Sequence, residues 1–275
     1  MNKFVIQNYA KIGLSLLYFP LFLLILISIF LYQENAFSRE AYANIQKDSF
    51  LFINSKLSHF PHLINNLGQF GNALIILSFL TIFVVYAPKL WEALLSASLI
   101  SIIPTSLLKV FFKVPRPAAV YDQSSFVIIG KTLTGSNSLP SGHSITIFTV
   151  LTILLWALMP QKLKYKVLWL GFIIIIGTIL TFTRVGVGAH YPLDVIIGSI
   201  IGYMCGILGI FINQKYSIWS WINHKKYYFI FILLFIGCII ALVNKILHEN
   251  LIVFYLALIS LIVSLYIITY IYVKK

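Results

Sequence analysis

Residues 184–194 read Arg184-Val185-Gly186-Val187-Gly188-Ala189-His190-Tyr191-Pro192-Leu193-Asp194. They separate a long apolar run ending at Thr183 from another extending to Ile212. The stretch therefore lies at a membrane edge, where a polar connection joins neighbouring spans. It holds one guanidinium, one imidazole and one carboxylate. Gly186 and Gly188 let the connection fold back sharply. Pro192 suits a first helical position, so the next helix is expected to start around Tyr191. His190 then sits at the mouth of that helix, with Asp194 in its first turn. An imidazole whose second nitrogen is held by a carboxylate is an oriented nucleophile or base, and a nearby Arg suits phosphate. The same residues would also make a polar helix cap among lipid headgroups.

The rest of the composition agrees with a membrane setting. The 275 residues are 60% hydrophobic and 10% charged, against about 25% charged in soluble domains. Mean hydropathy is +0.95. This is an all-α integral membrane protein, read as a single membrane domain over residues 1–275. The net charge is +13. It fits anionic lipid surfaces and orientation signals. No aromatic-basic alternation is present, so nucleic acid is discounted as a partner. Cys205 and Cys238 both lie inside apolar runs and read as small buried hydrophobes.

Eight spans are expected. The first covers about 12–32, long enough to cross a bilayer and without a small-residue cleavage site after it. The others are about 73–86, 93–112, 141–159, 167–183, 191–212, 228–243 and 251–273, with a kink expected at Pro104. The connection 33–72 carries Phe50, Leu51, Ile53, Leu57 and Phe60 at roughly helical spacing. It is either an amphipathic helix lying on the membrane or a loop helix packed on the spans. Residues 113–140 form a second polar connection, rich in Gly, Ser, Thr and Asn. Residues 160–166 and 213–227 are short and strongly basic, which places them inside under the positive-inside rule. The opposite face, with residues 184–194, is then expected to point to the outside of the cytoplasmic membrane.

Three polar patches share that outer face. Lys109, Arg116 and Pro117 form K-x6-R-P at the end of the third span. Pro140-Ser141-Gly142-His143 opens the fourth, with Ser141 a candidate N-cap and Gly142 permitting close backbone approach. A helix N-terminus with free amides binds anions. The third patch is R-x5-H-x3-D, from Arg184 through His190 to Asp194. Singly, each could be a basic membrane exit or a helix cap. Together they bring two Arg, one Lys, a helix N-terminus and two imidazoles to one place. Lys113 and Lys131 read as solvated loop charges. No dense carboxylate cluster is present to hold Mg²⁺ or Zn²⁺, so no metal and no cofactor are expected. This chemistry suits metal-independent phosphoryl transfer.

These three motifs, in this order and at span ends, resemble the type-2 phosphatidic acid phosphatase superfamily. That family includes bacterial undecaprenyl-diphosphate, phosphatidylglycerophosphate and lipid A phosphatases. The resemblance covers about 93–212 and implies a six-span phosphatase-type core, to which 228–273 add two extra spans. Thr183 stands where the family usually has Ser and keeps the hydroxyl. The resemblance implies that His190 attacks phosphorus to form a phosphohistidine, Asp194 fixes its tautomer, and His143 protonates the leaving oxygen. Lys109, Arg116, Ser141, Gly142 and Arg184 would bind the phosphoryl oxygens. The implied partner is a lipid phosphate substrate within the bilayer. A phosphotransferase using the same site is a second reading, and a non-enzymatic anionic-lipid binder or flippase-like protein a third.

Overall fold

The computed structural model describes residues 1–274, and these are helical with no strand among them. The helices are α1 (Asn2–Tyr9), α2 (Tyr18–Gln33), α3 (Arg39–Asn44), α4 (Lys47–Leu57), α5 (Pro61–Gly68), α6 (Ala73–Ser78) and α7 (Phe83–Tyr86). They continue with α8 (Pro88–Phe112), α9 (Pro117–Val120), α10 (Gly142–Ala157), α11 (Leu163–Gly186), α12 (Pro192–Lys215), α13 (Tyr228–His248) and α14 (Ile252–Val273). Six helical stretches are long and apolar enough to cross a membrane: Leu14–Gln33, Pro88–Val120, Leu163–Gly186, Pro192–Lys215, Lys225–His248 and Ile252–Val273. The motif-bearing α10 is shorter but also apolar. Large apolar side chains face outward from these helices, such as Leu107, Val110 and Phe111 on α8, each more than 60% exposed. Such a surface is stable only against lipid. This is a membrane protein.

The stretch 73–86 departs from the expected single span. It forms two short helices, α6 and α7, joined by turns at residues 79–82. Side chains take over the carbonyls there, which opens the helical ladder. Thr81 and Ser260 hydroxyls donate to Ser78 O at 2.8 and 3.0 Å, and Trp91 Nε1 donates to Leu80 O at 2.7 Å. The third span starts earlier than expected, because Pro88 occupies the first turn of α8 rather than a separate turn.

Hydrogen bonds define the two ends of the bundle. At one end Asn2 Oδ1 accepts from Lys89 N, Asn8 Nδ2 donates to Ala157 O and Met159 O, and Asn223 Nδ2 donates to Glu92 Oε1. The basic connections 160–166 and 213–227 lie at this end. At the other end Arg39 Nε donates to Phe112 O and Tyr42 Oη to Asp194 Oδ1. All three motifs fall at this second end.

The tightest packing is α10 against α12, and glycines permit it. A Cβ on Gly198 would lie 2.7 Å from Ser141 O, and one on Gly202 would lie 2.5 Å from Ile145 O. Only bare backbone fits there, so the first turn of α10 seats directly on α12. α13 and α14 pack on each other and on the core around Trp91, Phe231 and Phe254.

Within 33–72, α4 packs on the bundle. Phe50 of α4 is fully buried in an aromatic cluster with Tyr121, Phe126 and Tyr191, ring centroids 5.1–5.9 Å away. Burying a Phe side chain stabilises by about 1.5–3 kcal/mol. Asn54 is also buried, and its amide ties α4 to Val127 O, Val185 O and Gly186 O.

Candidate active site

The loop 187–191 owes its shape to Gly188, whose φ is +77°. A Cβ there would meet Phe126 Cε2 and Val127 O at 2.9 Å, so the turn needs glycine twice over. The amides of Ala189 and His190 both donate back to Arg184 O, at 3.0 and 3.2 Å. That closure sets Arg184 and His190 side by side across a five-residue gap. Pro192 then opens α12 with Tyr191 as N-cap, as its position predicted.

His190 and Asp194 are 2% and 0% exposed. A buried carboxylate needs partners, and Asp194 has three donors. Tyr42 Oη reaches Oδ1 at 2.9 Å, while Ser138 Oγ and Tyr191 N reach Oδ2 at 2.5 and 3.0 Å. His190 Nδ1 stands 3.5 Å from Asp194 Oδ2 and 3.4 Å from Ser138 Oγ. The direct contact is loose, so Ser138 bridges imidazole and carboxylate. On the other side of the ring, Arg116 Nη1 is 3.3 Å from Nε2. A guanidinium can only donate, so Nε2 accepts and Nδ1 carries the proton. Burial, then Arg116, Arg184 and Lys109, push the His190 imidazolium to deprotonate well below its usual pH range. The ring is thus neutral near pH 7, with its lone pair at Nε2.

Arg116 is anchored as well. Its Nε donates to Asn137 Oδ1 at 2.8 Å and its Nη1 to Ala189 O at 2.9 Å. Arg184 Nε is buried and has no hydrogen-bond partner among the described residues. A methyl on Gly68 would come within 3.7 Å of Arg184 Nη1. Ser141 caps α10 by accepting from Ser144 N at 3.4 Å, and its own amide donates to Asp194 O at 3.1 Å. A methyl on Gly142 would lie 3.5 Å from Lys109 Nζ, so that ammonium rests on the α10 N-terminus. His143 follows Gly142 in the first turn of α10, with its ring against Gly71. The eight positions singled out from the sequence thus come together. Lys113 and Lys131 stay exposed, outside the site.

Residues 89–218 match the PAP2 superfamily. The chain thus carries a PAP2 superfamily domain over that region. The crystal structure of Aquifex aeolicus LpxE is similar to it, with 25% sequence identity and a TM-score of 0.50 over 62% of this chain and 96% of that one. No curated protein matches the sequence. This PAP2 protein is a membrane phosphatase. Its matched region stops short of residues 1–88 and 219–275, yet the first of those segments supplies a wall of the site.

That wall is what sequence reasoning missed. Tyr42 and Gly71 lie far from any motif and carry no local signal. Ser138 and Asn137 sit just before Pro140, in a stretch that reads only as polar loop. Gly71 is the closest neighbour of all: any Cβ on it would overlap the His143 ring and Cβ. Gly71→Ala is therefore expected to displace His143, reducing activity in the same substrate-dependent way as His143→Ala. A Gly71→Ala enzyme with wild-type turnover on every substrate would disprove this contact.

Proposed function

We propose that this phosphatase hydrolyses a phosphate or diphosphate on a membrane lipid through a phosphohistidine at His190, with no metal. The carrying observation is the polarity of the His190 ring, with Nδ1 turned to Ser138 and Asp194 and Nε2 to Arg116. A nucleophile beside a phosphate-binding guanidinium is the geometry phosphoryl transfer needs. Nε2 attacks phosphorus as the bond to the lipid oxygen breaks. His143 gives that oxygen a proton. Water, deprotonated by His143, then attacks the phosphorus of phosphohistidine, releasing inorganic phosphate and restoring both imidazoles. Arg116, Arg184, Lys109, the Ser141 hydroxyl and the Gly142 amide would neutralise the equatorial oxygens. A fixed donor of this kind is worth about 2.7–4 kcal/mol of barrier. The unpaired Arg184 Nε is a donor awaiting such an oxygen.

Among the described residues no three His, Cys, Asp or Glu cluster in a way that could hold a metal. The charge compensation in this mechanism comes from the guanidinium and ammonium groups instead. The chain crosses the membrane eight times in this reading, the broken segment 72–87 included. The substrate in this reading is undecaprenyl diphosphate, phosphatidylglycerophosphate or lipid A phosphate, presented at the outer face of the cytoplasmic membrane. That sidedness is supported by the position of the site at the end opposite the basic connections.

The test is phosphate release from a panel of these three lipids in the presence of EDTA. Turnover of at least one, unchanged by the chelator and inhibited by vanadate as a transition-state mimic, is the expected result. Activity lost to EDTA and restored by Mg²⁺ would sink the mechanism.

A further inference from the structure

A cavity of about 930 Å³ lies on the far side of α11 and α12 from the catalytic residues. α2 and α10 form its other walls. Along α11 it runs from Leu163 to Phe182, about 29 Å at 1.5 Å per residue, which is the thickness of a bilayer's hydrocarbon core. It is not the substrate's channel. Phe182 lines it, but Arg184 is two residues on, about 200° around the helix, and faces Gly68 instead. On α12, Ile196 lines the cavity while Asp194, again two residues away, points into the site.

The cavity is lined mainly by apolar side chains, with neutral hydroxyls such as Thr178, Thr181 and Ser199 among them, and its charged residues lie at the end of the bundle opposite the site. There Lys11, Lys166 and Gln161 line it, and no Asp or Glu does. Lys11 Nζ donates to Gln161 Oε1 at 3.2 Å. Lys166 has no hydrogen-bond or ion-pair partner among the described residues. The half of this slot nearest the two ammonium groups, with no carboxylate to neutralise them, has the length and charge to take one leaflet's phospholipid with its headgroup turned to that end.

We propose that this cavity holds a structural diacyl phospholipid with an anionic headgroup. Its phosphodiester would sit between Lys11 and Lys166, and its acyl chains along Phe19, Leu23, Leu170 and Ile174. The lipid occupies the leaflet opposite the catalytic end, so it is bound rather than hydrolysed.

Trp156 lines the cavity and serves as the reporter. The full chain is reconstituted in phosphatidylcholine vesicles containing brominated-chain phosphatidylglycerol or, at equal mole fraction, brominated phosphatidylcholine. The quenching that disappears in Trp156→Phe should be greater with the anionic lipid. Lys11→Gln and Lys166→Gln should each weaken apparent affinity for it about fivefold, as expected for one basic side chain at a lipid surface. Native mass spectrometry supplies a second measurement without a tryptophan variant: phosphatidylglycerol retained by the wild type and lost from the double lysine variant, with phosphatidylcholine retained by neither. Equal quenching by both headgroups, or lysine variants that retain phosphatidylglycerol like the wild type, would overturn the assignment.

Discussion

His190→Ala is expected to abolish turnover of a lipid phosphomonoester, a lipid diphosphate and an aryl phosphate alike. His143→Ala is expected to separate them. The reason lies in what each imidazole does. In the proposed mechanism, removing His190 removes the atom that bonds to phosphorus, and no leaving group compensates for that. Removing His143 takes away a proton that only some leaving groups need. A lipid alkoxide is a very poor leaving group, so the monoester should lose the full value of general acid catalysis, about 10²–10⁴-fold. A lipid phosphate expelled from a diphosphate, or an aryl oxide, carries its negative charge more easily and should lose less. Steady-state rates on the three substrates, with folding checked by thermal unfolding in detergent, decide the matter. Equal losses for His143→Ala would make it a phosphate ligand or a packing residue. A graded loss in His190→Ala instead would exchange the two roles.

Asp194→Asn is expected to lower kcat by about 10⁴, the loss seen when a triad carboxylate is replaced by its amide. All three partners of Asp194 are donors, and they converge on both oxygens. An amide has one acceptor atom. Flipped either way, its NH₂ meets at least one O–H or N–H head-on. The bridge through Ser138 would then present a donor towards His190 Nδ1, and the proton would move to Nε2, the nitrogen that must attack. Tyr42→Phe tests the same network more gently. It removes one charge-assisted hydrogen bond, about 1.5–3 kcal/mol, while leaving the carboxylate in place. It should lower kcat by about ten- to a hundredfold at unchanged KM. An Asp194→Asn enzyme within tenfold of wild type would show that the carboxylate does not set the tautomer.

The Tyr42 contact explains why residues outside the matched region matter. The α3–α5 segment reaches over the site, anchored by polar side chains that are buried or partly buried. Gln46 Oε1 accepts from Leu193 N at 2.8 Å, and Asn66 Oδ1 from Val253 N at 3.1 Å at the start of α14. Thr81 and Ser264 hydroxyls join α14 to the broken helix below Gly71, at 2.8 Å. α14 thus buttresses the wall that touches His143, a role that hydropathy has no means of registering.

The sequence by itself determined the class of molecule and the chemical groups of the site. Apolar runs of bilayer length force helices, because a backbone in lipid has no other way to satisfy its hydrogen bonds. The motifs lie at the ends of those runs, and alternating passes carry ends of the same kind to one face. Lys109, Arg116, Ser141, Gly142, His143, Arg184, His190 and Asp194 were legible for that reason: their types are costly in or beside a membrane and therefore conspicuous. Only the tertiary structure decided how they are held. Whether 33–72 lay on the lipid or on the bundle turned on where Phe50 and Asn54 found partners, and those come from residues 121–191. The break in 73–86 arises from Trp91 and from Ser260 and Ser264 of α14. Tyr42 and Gly71 act on Asp194 and His143 across more than 70 residues of chain. Contacts of that kind leave no periodicity behind, because a hydroxyl aimed at a carboxylate, or a missing Cβ beside an imidazole, has meaning only once the two segments have met.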